Sequence, residues 1–223
     1  MQALKVTFKL RSLVVQENDY PIHLDGLLAA CVSEEAQEFG SNAPWQDADD
    51  LSHLLERTDD DDTGAWVWKA SCLQFKPASE RFFTTLVRRS EPEAFMQAMD
   101  SKLLNGRPRN SLSAKSGHNR GYFLLHSYQW MESATAWCIG DPVEIQSALQ
   151  RVRYIGKHGR NGFGMLESFL VETSQEQHAW KRRFMPNHME GENGISYIQA
   201  TRRLRAPYWK KTGKIAAKVP VLV

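Results

Sequence analysis

Cysteine is scarce in this 223-residue chain: Cys31, Cys72 and Cys138 stand far apart and form no C-x-x-C pair. An odd, scattered set excludes a disulfide framework and a cysteine-based zinc site, and it points to a reducing compartment. Long apolar runs are lacking as well. Nothing approaches the roughly 20 residues that span a bilayer, and the opening Leu4-Lys5-Val6-Thr7-Phe8-Lys9-Leu10 alternates instead of forming the apolar block of a signal peptide. The expectation is a cytoplasmic protein with no membrane partner. Neither G-x-G-x-x-G nor G-x-x-x-x-G-K-[ST] fits the one glycine-rich stretch, and the aromatic signature of a base-stacking RNA-recognition sheet is absent. No cofactor, metal or small-molecule substrate is expected.

The chain does carry an apolar fraction of 42%, enough for a globular core, and a charge split that its net +2 conceals. Residues 1–100 hold 9 Lys/Arg against 18 Asp/Glu, a balance of −9, while residues 101–223 hold 19 against 8, a balance of +11. A basic half within a near-neutral chain suggests a polyanion on one face. The glycine-rich stretch lies in that half: Gly156-Lys157-His158-Gly159-Arg160-Asn161-Gly162-Phe163-Gly164. Four glycines allow sharp turns and close backbone approach to phosphate, and the interleaved cations supply charge and donors. A helical pattern from Asp141 to Tyr154 precedes it and the strand-like Met165 to Val171 follows. Helix, loop, strand is the reverse of a nucleotide-hydrolysing phosphate loop, so an RNA backbone is the better ligand.

The alternation of Leu4, Val6, Phe8 and Leu10 predicts a first strand within 4–15. Leu24, Leu27, Leu28 and Cys31 predict a helix covering it, with Gly26 tolerable if another chain segment comes close. Residues 41–64 read as an acidic, solvated loop ending in the run Asp59 to Asp62. Two neighbouring strands are predicted at 65–73 and 82–88, and two more at 122–130 and 134–139. Between them, residues 101–121 lose all periodicity and gather Lys102, Arg107, Arg109, Lys115, His118 and Arg120, an insertion suited to ordering on nucleic acid. Asp141 as N-cap, Pro142 at the first position and Glu144 completing a capping box start the second helix, with Val143, Leu149 and Val152 as its buried stripe. The fold class is therefore α+β, a ferredoxin-like, RRM-like βαββαβ core with an inserted basic segment. It occupies residues 1–175, and 176–223 form a basic extension packed on the same domain. That extension carries Lys181-Arg182-Arg183, Arg202, Arg203, Arg205, Trp209, Lys210 and Lys211; Trp180 reads as core.

Two motifs, Ile22-His23-Leu24-Asp25-Gly26-Leu27-Leu28-Ala29 and Ile155 to Gly164, occur in the order, and in a chain of the size, of the RAMP superfamily of CRISPR-associated proteins. The chain most resembles the Cas-five-class subunit of type IV CRISPR effector complexes. The resemblance implies a non-catalytic subunit that holds the 5′ handle of the crRNA. It also implies a cap on the filament of backbone subunits, beside the large subunit and target DNA near the PAM. The family's glycine loop falls on Gly156 to Gly164, and its thumb-like insertion falls, by position and charge, on 101–121. Arg202, Arg203, Arg205, Trp209, Lys210 and Lys211 are candidates for DNA or subunit contacts. Some relatives process crRNA without metal; were this chain such an endoribonuclease, His23, His158 and Lys157 would be its acid–base candidates.

Overall fold

The computed structural model describes residues 1–15, 21–59, 64–88, 93, 96 and 121–221. Its elements, in chain order, are β1 (Gln2–Leu10), β2 (Val14–Val15), α1 (Leu24–Glu38), α2 (Pro44–Asp47), β3 (Gln74–Pro77), β4 (Phe82–Arg88), β5 (Tyr122–Gln129), β6 (Met131–Gly140), α3 (Pro142–Leu149), β7 (Leu166–Thr173), β8 (Met185–Pro186), β9 (Tyr197–Arg202) and β10 (Ile215–Pro220). Two compact units result: residues 1–80 with 129–223, and residues 81–128.

In the larger unit a four-stranded sheet runs in the order β3-β6-β1-β7, with every neighbouring pair antiparallel. The alternation in β1 decides which face is buried. Leu4, Val6 and Phe8 lie opposite Cys138, Ala136 and Ala134 of β6, while Val6 and Phe8 also meet Val171 and Phe169 of β7. Leu24, Leu28 and Ala29 of α1 and Ile145 and Leu149 of α3 complete that core. Burying each of the large side chains contributes about 1.5–3 kcal/mol, and the small residues on β6 leave room for the helices. A three-stranded sheet, β8-β10-β9, carries a second cluster of Val67, Trp180, Phe184, Met185, Leu204 and Ala217. Trp180 is core, as its sequence context suggested.

Four segments depart from expectation. Residues 41–64 are not simply a solvated loop: α2 lies within them, and Ala48, Leu51, Leu54 and Leu55 are buried in the main core. The segment 65–73 is not a regular strand, because its backbone bonds are shared among many neighbours. Thr58 N–H donates to Val67 O, Lys69 N–H to Glu56 O, Ser71 N–H to Trp137 O and Cys72 N–H to Arg182 O. Regular pairing starts only at β3. Next, β4 pairs not with that segment but with β5, from Phe82↔Tyr128 to Arg88↔Tyr122, inside the smaller unit. Finally, the second helix stops at Leu149, and its stripe is Ile145 and Leu149 with Val152 beyond its end, whereas Val143 is 71% exposed. Positions 145, 149 and 152 share a face; 143, two residues before 145, points away from it. Asp141 does cap, accepting from Val143 N–H at 2.9 Å and Glu144 N–H at 3.1 Å. The reciprocal half of the box is replaced, since Asp141 N–H donates to Leu54 O at 3.0 Å.

Candidate nucleic-acid interface

The glycine loop is held at its base by the chain that leaves β1. Gly164 N–H donates to Leu13 O at 2.7 Å, and Ile155 N–H donates to Gly164 O at 2.8 Å. The Ser12 hydroxyl donates to Gly162 O at 2.7 Å while accepting from Met165 N–H at 2.8 Å. Glycine is required at Gly164, whose φ is +68° and where a Cβ would stand 1.8 Å from Ile155 O. Gly159 allows the loop to fold onto the Tyr154 ring, since a Cβ there would come within 2.9 Å of it. Between these anchors Gly159–Asn161 form one tight 3₁₀ turn, entered through His158 in the left-handed conformation at φ 62°.

This scaffold exposes Lys157, Arg160 and Asn161 and leaves His158 and Phe163 half-buried, their rings 6.5 Å apart. The backbone N–H groups of Gly159 and Arg160 donate to no backbone carbonyl among the described residues. The loop therefore offers two backbone donors between exposed cations, groups of the kind that bind phosphate. Alongside its stems runs a groove of about 490 Å³, lined by Arg153, Tyr154, Met165 and Phe169 among others.

The other motif has the opposite environment. His23 is 1% exposed and Asp25 is fully buried. His23 stacks on Tyr208 with ring centroids 4.2 Å apart, lies edge-on to Phe184 at 4.5 Å, and meets the Cys72 thiol at 3.5 Å. Burial, and then the charge of Arg183, hold its imidazole well below the ordinary value of 6.5. Asp25 accepts from the Tyr208 hydroxyl at 2.7 Å and from Arg183 Nη2 at 3.4 Å. Burial pushes its carboxyl upward against the pull of Arg183, the Tyr208 hydroxyl and Gly26 N–H. Arg183, itself fully buried, also donates to the carbonyls of Trp68, Ala70, Phe184 and Leu204 and to the Tyr208 oxygen. Gly26 is where the Tyr208 ring packs on α1, 3.3 Å from the position of an added Cβ.

Residues 2–220 match the family described as CRISPR type IV associated protein Csf3. The chain belongs to the Csf3 family. The resemblance to type IV CRISPR-associated proteins is thereby borne out. No curated protein matches it. Among solved structures it is similar to one described as the crystal structure of the Csm3–Csm4 subcomplex in the type III-A CRISPR-Cas interference complex. Identity there is 9% and the TM-score 0.43, over 97% of this chain and 90% of that one.

In this Csf3-family chain the site residues read from sequence fall into four groups. Gly156 to Gly164 come together as one surface loop. Arg107, Arg109, Lys115, His118 and Arg120 lie outside the described residues. The C-terminal cations have contacts of their own. The Arg205 guanidinium carbon stands 3.8 Å from the Trp66 ring centroid, Arg203 Nη1 donates to Thr212 O, and Arg202 lies 6.0 Å from the Phe184 ring. Trp209 is 72% exposed, and Lys210 and Lys211 are exposed with it. His23 belongs to the interior and not to a surface shared with Lys157 and His158. Arg183 and Tyr208 escaped the sequence reading: three adjacent cations, Lys181-Arg182-Arg183, look alike in one dimension. The available signal was Asp25, a carboxylate on the apolar face of a helix, which demands a buried partner. Among the described residues no cluster of three or more His, Cys, Asp or Glu is placed to hold a metal, and no helix is long and apolar enough to cross a membrane.

Proposed function

We propose that this chain is a non-catalytic subunit of a type IV CRISPR effector complex that holds the 5′ handle of the crRNA through the Gly156–Gly164 loop. The observation that carries the reading is the anchored 3₁₀ turn, where the N–H groups of Gly159 and Arg160 make no backbone hydrogen bond among the described residues and Lys157, Arg160 and Asn161 are exposed. The sheet order β3-β6-β1-β7, with α1 after β1 and α3 before β7, fits a ferredoxin-like βαββαβ core. Such a core brings a loop between α3 and β7 to the edge of the sheet. Membership of the Csf3 family supports a place in the effector complex, capping the backbone filament beside the large subunit and PAM-proximal target DNA. The basic segment holding Arg107, Arg109, Lys115, His118 and Arg120 is the second tier of RNA contacts. Burial of His23 favours binding over metal-independent cleavage, because it removes one of three acid–base candidates from the surface.

The test is incubation of purified protein with end-labelled repeat RNA, with and without EDTA, resolved on native and denaturing gels. Retarded, intact RNA is expected. Its affinity falls with salt at roughly 0.7 log units per neutralised phosphate. Lys157→Ala with Arg160→Ala weakens binding at least about tenfold, the loss expected for charge-assisted contacts. Wild-type affinity in a folded double variant would sink the reading. Cleavage at one site without metal would replace it with the endoribonuclease, and His158 and Lys157 would be the residues to substitute.

A further inference from the structure

The groove beside the glycine loop holds chemistry that phosphate contact alone does not use. It measures about 490 Å³ and is lined by Arg153, Tyr154, Met165, Glu167, Ser168 and Phe169 among others. We propose, resting on the reading of the loop as an RNA contact, that this groove is a base-reading pocket. It takes a single guanine of the strand whose phosphate sits on the loop.

The pocket is built before any ligand arrives. Its two walls, residues 152–154 and 165–169, are tied together by the main chain. Leu166 N–H donates to Arg153 O at 3.0 Å, and Tyr154 forms an antiparallel bridge with Met165. Met165 and Phe169 are half-buried and give the groove its apolar surface, with Phe169 fixed opposite Phe8 in the sheet. A pre-ordered pocket loses little entropy on binding. Tyr154 joins groove to loop, because it lines the one and receives Gly159 of the other. A Cβ at Gly159 would stand 2.9 Å from its ring. A nucleotide whose phosphate meets the N–H groups of Gly159 and Arg160 thus has an aromatic ring within reach of its base.

The polar side chains of the groove are uncommitted. Arg153, Tyr154, Glu167 and Ser168 are exposed, and their side chains enter no hydrogen bond or ion pair among the described residues. Arg153 and Glu167 therefore line one groove without neutralising each other. A free guanidinium presents a fork of donors, and a free carboxylate presents a pair of acceptors. Guanine is the RNA base that matches both. Its Hoogsteen edge offers two acceptors, O6 and N7, and its Watson–Crick edge offers two adjacent donors, N1–H and the N2 amino group. Adenine mixes donor and acceptor on both edges, and cytosine and uracil each carry one donor group on the pairing edge. None of these three gives the carboxylate two adjacent donor groups.

The test measures fluorescence anisotropy of the full chain with four labelled RNAs of one length. Each is an oligouridylate with guanosine, adenosine, cytidine or uridine at one internal position, so all four carry the same charge. The guanosine RNA is expected to bind about tenfold more tightly than the others. Glu167→Gln should abolish that preference by weakening the guanosine RNA alone, with unchanged oligouridylate affinity as the check on folding. A general charge effect has the opposite sign, because removing a carboxylate strengthens binding to every RNA. Arg153→Gln should narrow the preference as well. Equal affinity of the wild type for all four RNAs overturns the pocket, and the loop reading outlives it if Lys157→Ala with Arg160→Ala weakens all four. A guanosine preference that persists in both groove variants overturns the pocket too, since the base is then read elsewhere. Binding to none of the four sinks the loop reading and the pocket together.

Discussion

The segment Ile22 to Ala29 and the segment Ile155 to Gly164 both combine histidine, charge and glycine, and they end in opposite surroundings. In the first, His23, Asp25 and Gly26 face inward and are matched by Arg183, Tyr208 and Cys72, residues from distant parts of the chain. In the second, Lys157, Arg160 and Asn161 face outward, and the buried work is done by the backbone and by Ser12. Motif chemistry therefore does not identify an interface. A histidine whose burial depresses its basicity is part of the architecture, and a loop whose main-chain bonds are satisfied at the base but open at the tip can receive a ligand.

The sharpest way to break the contrast is through Arg183. Arg183→Met would leave the Asp25 carboxylate buried without its counter-charge and take one donor from each of the carbonyls of Trp68, Ala70 and Leu204. A loss of about 3–5 kcal/mol in urea unfolding is expected. A loss below 1 kcal/mol would mean the network is not the interior clamp described here.

On the loop side, Gly164→Ala should cost about 1–3 kcal/mol, because its left-handed backbone and the 1.8 Å clash with Ile155 O both resist a side chain. Gly162, at φ +86° with nothing within 4 Å, separates the two causes. Gly162→Ala should cost only the conformational part, about 1 kcal/mol. Equal losses at the two positions would show that the close approach at Gly164 is unimportant.

A smaller effect concerns pH. The unfolded chain takes up a proton at His23 near 6.5, whereas the folded chain resists until well below that. The stability from this shift is present above 6.5 and is lost as pH falls toward the folded value, by up to about 1.4 kcal/mol per pH unit. Asp25, pushed up by burial, works in the opposite sense, but it is common to the wild type and a His23→Gln protein. Chemical denaturation of both between pH 7.5 and 5.5 isolates the histidine: the wild type should lose more than the variant. The smallest effect is expected from Lys157→Ala with Arg160→Ala, within about 0.5 kcal/mol of wild-type stability, so that any change in RNA affinity reports contact and not unfolding.

Periodicity and local chemistry were enough to read β1, the start of α1, the Asp141 N-cap and the glycine loop, because each follows from residues within a few positions of one another. The alternation of Leu4, Val6 and Phe8 needs no partner to declare a face, and Asp141-Pro142 starts a helix wherever it lies. Strand neighbours were not legible. Phe82–Arg88 has strand character, but whether it joins the 65–73 segment or Tyr122–Gln129 depends on pairing across a long connection. Nor could one dimension separate Arg183 from Lys181 and Arg182, since their difference is burial alone. Sequence by itself determined the family, the charge asymmetry and the loop with its cations, all properties of composition and short spacing. Tertiary structure decided that His23 and Asp25 are interior, that Arg183 is their counter-charge and that Arg205 meets Trp66. Those are outcomes of desolvation and long-range packing, which arise only when residues well over a hundred positions apart meet.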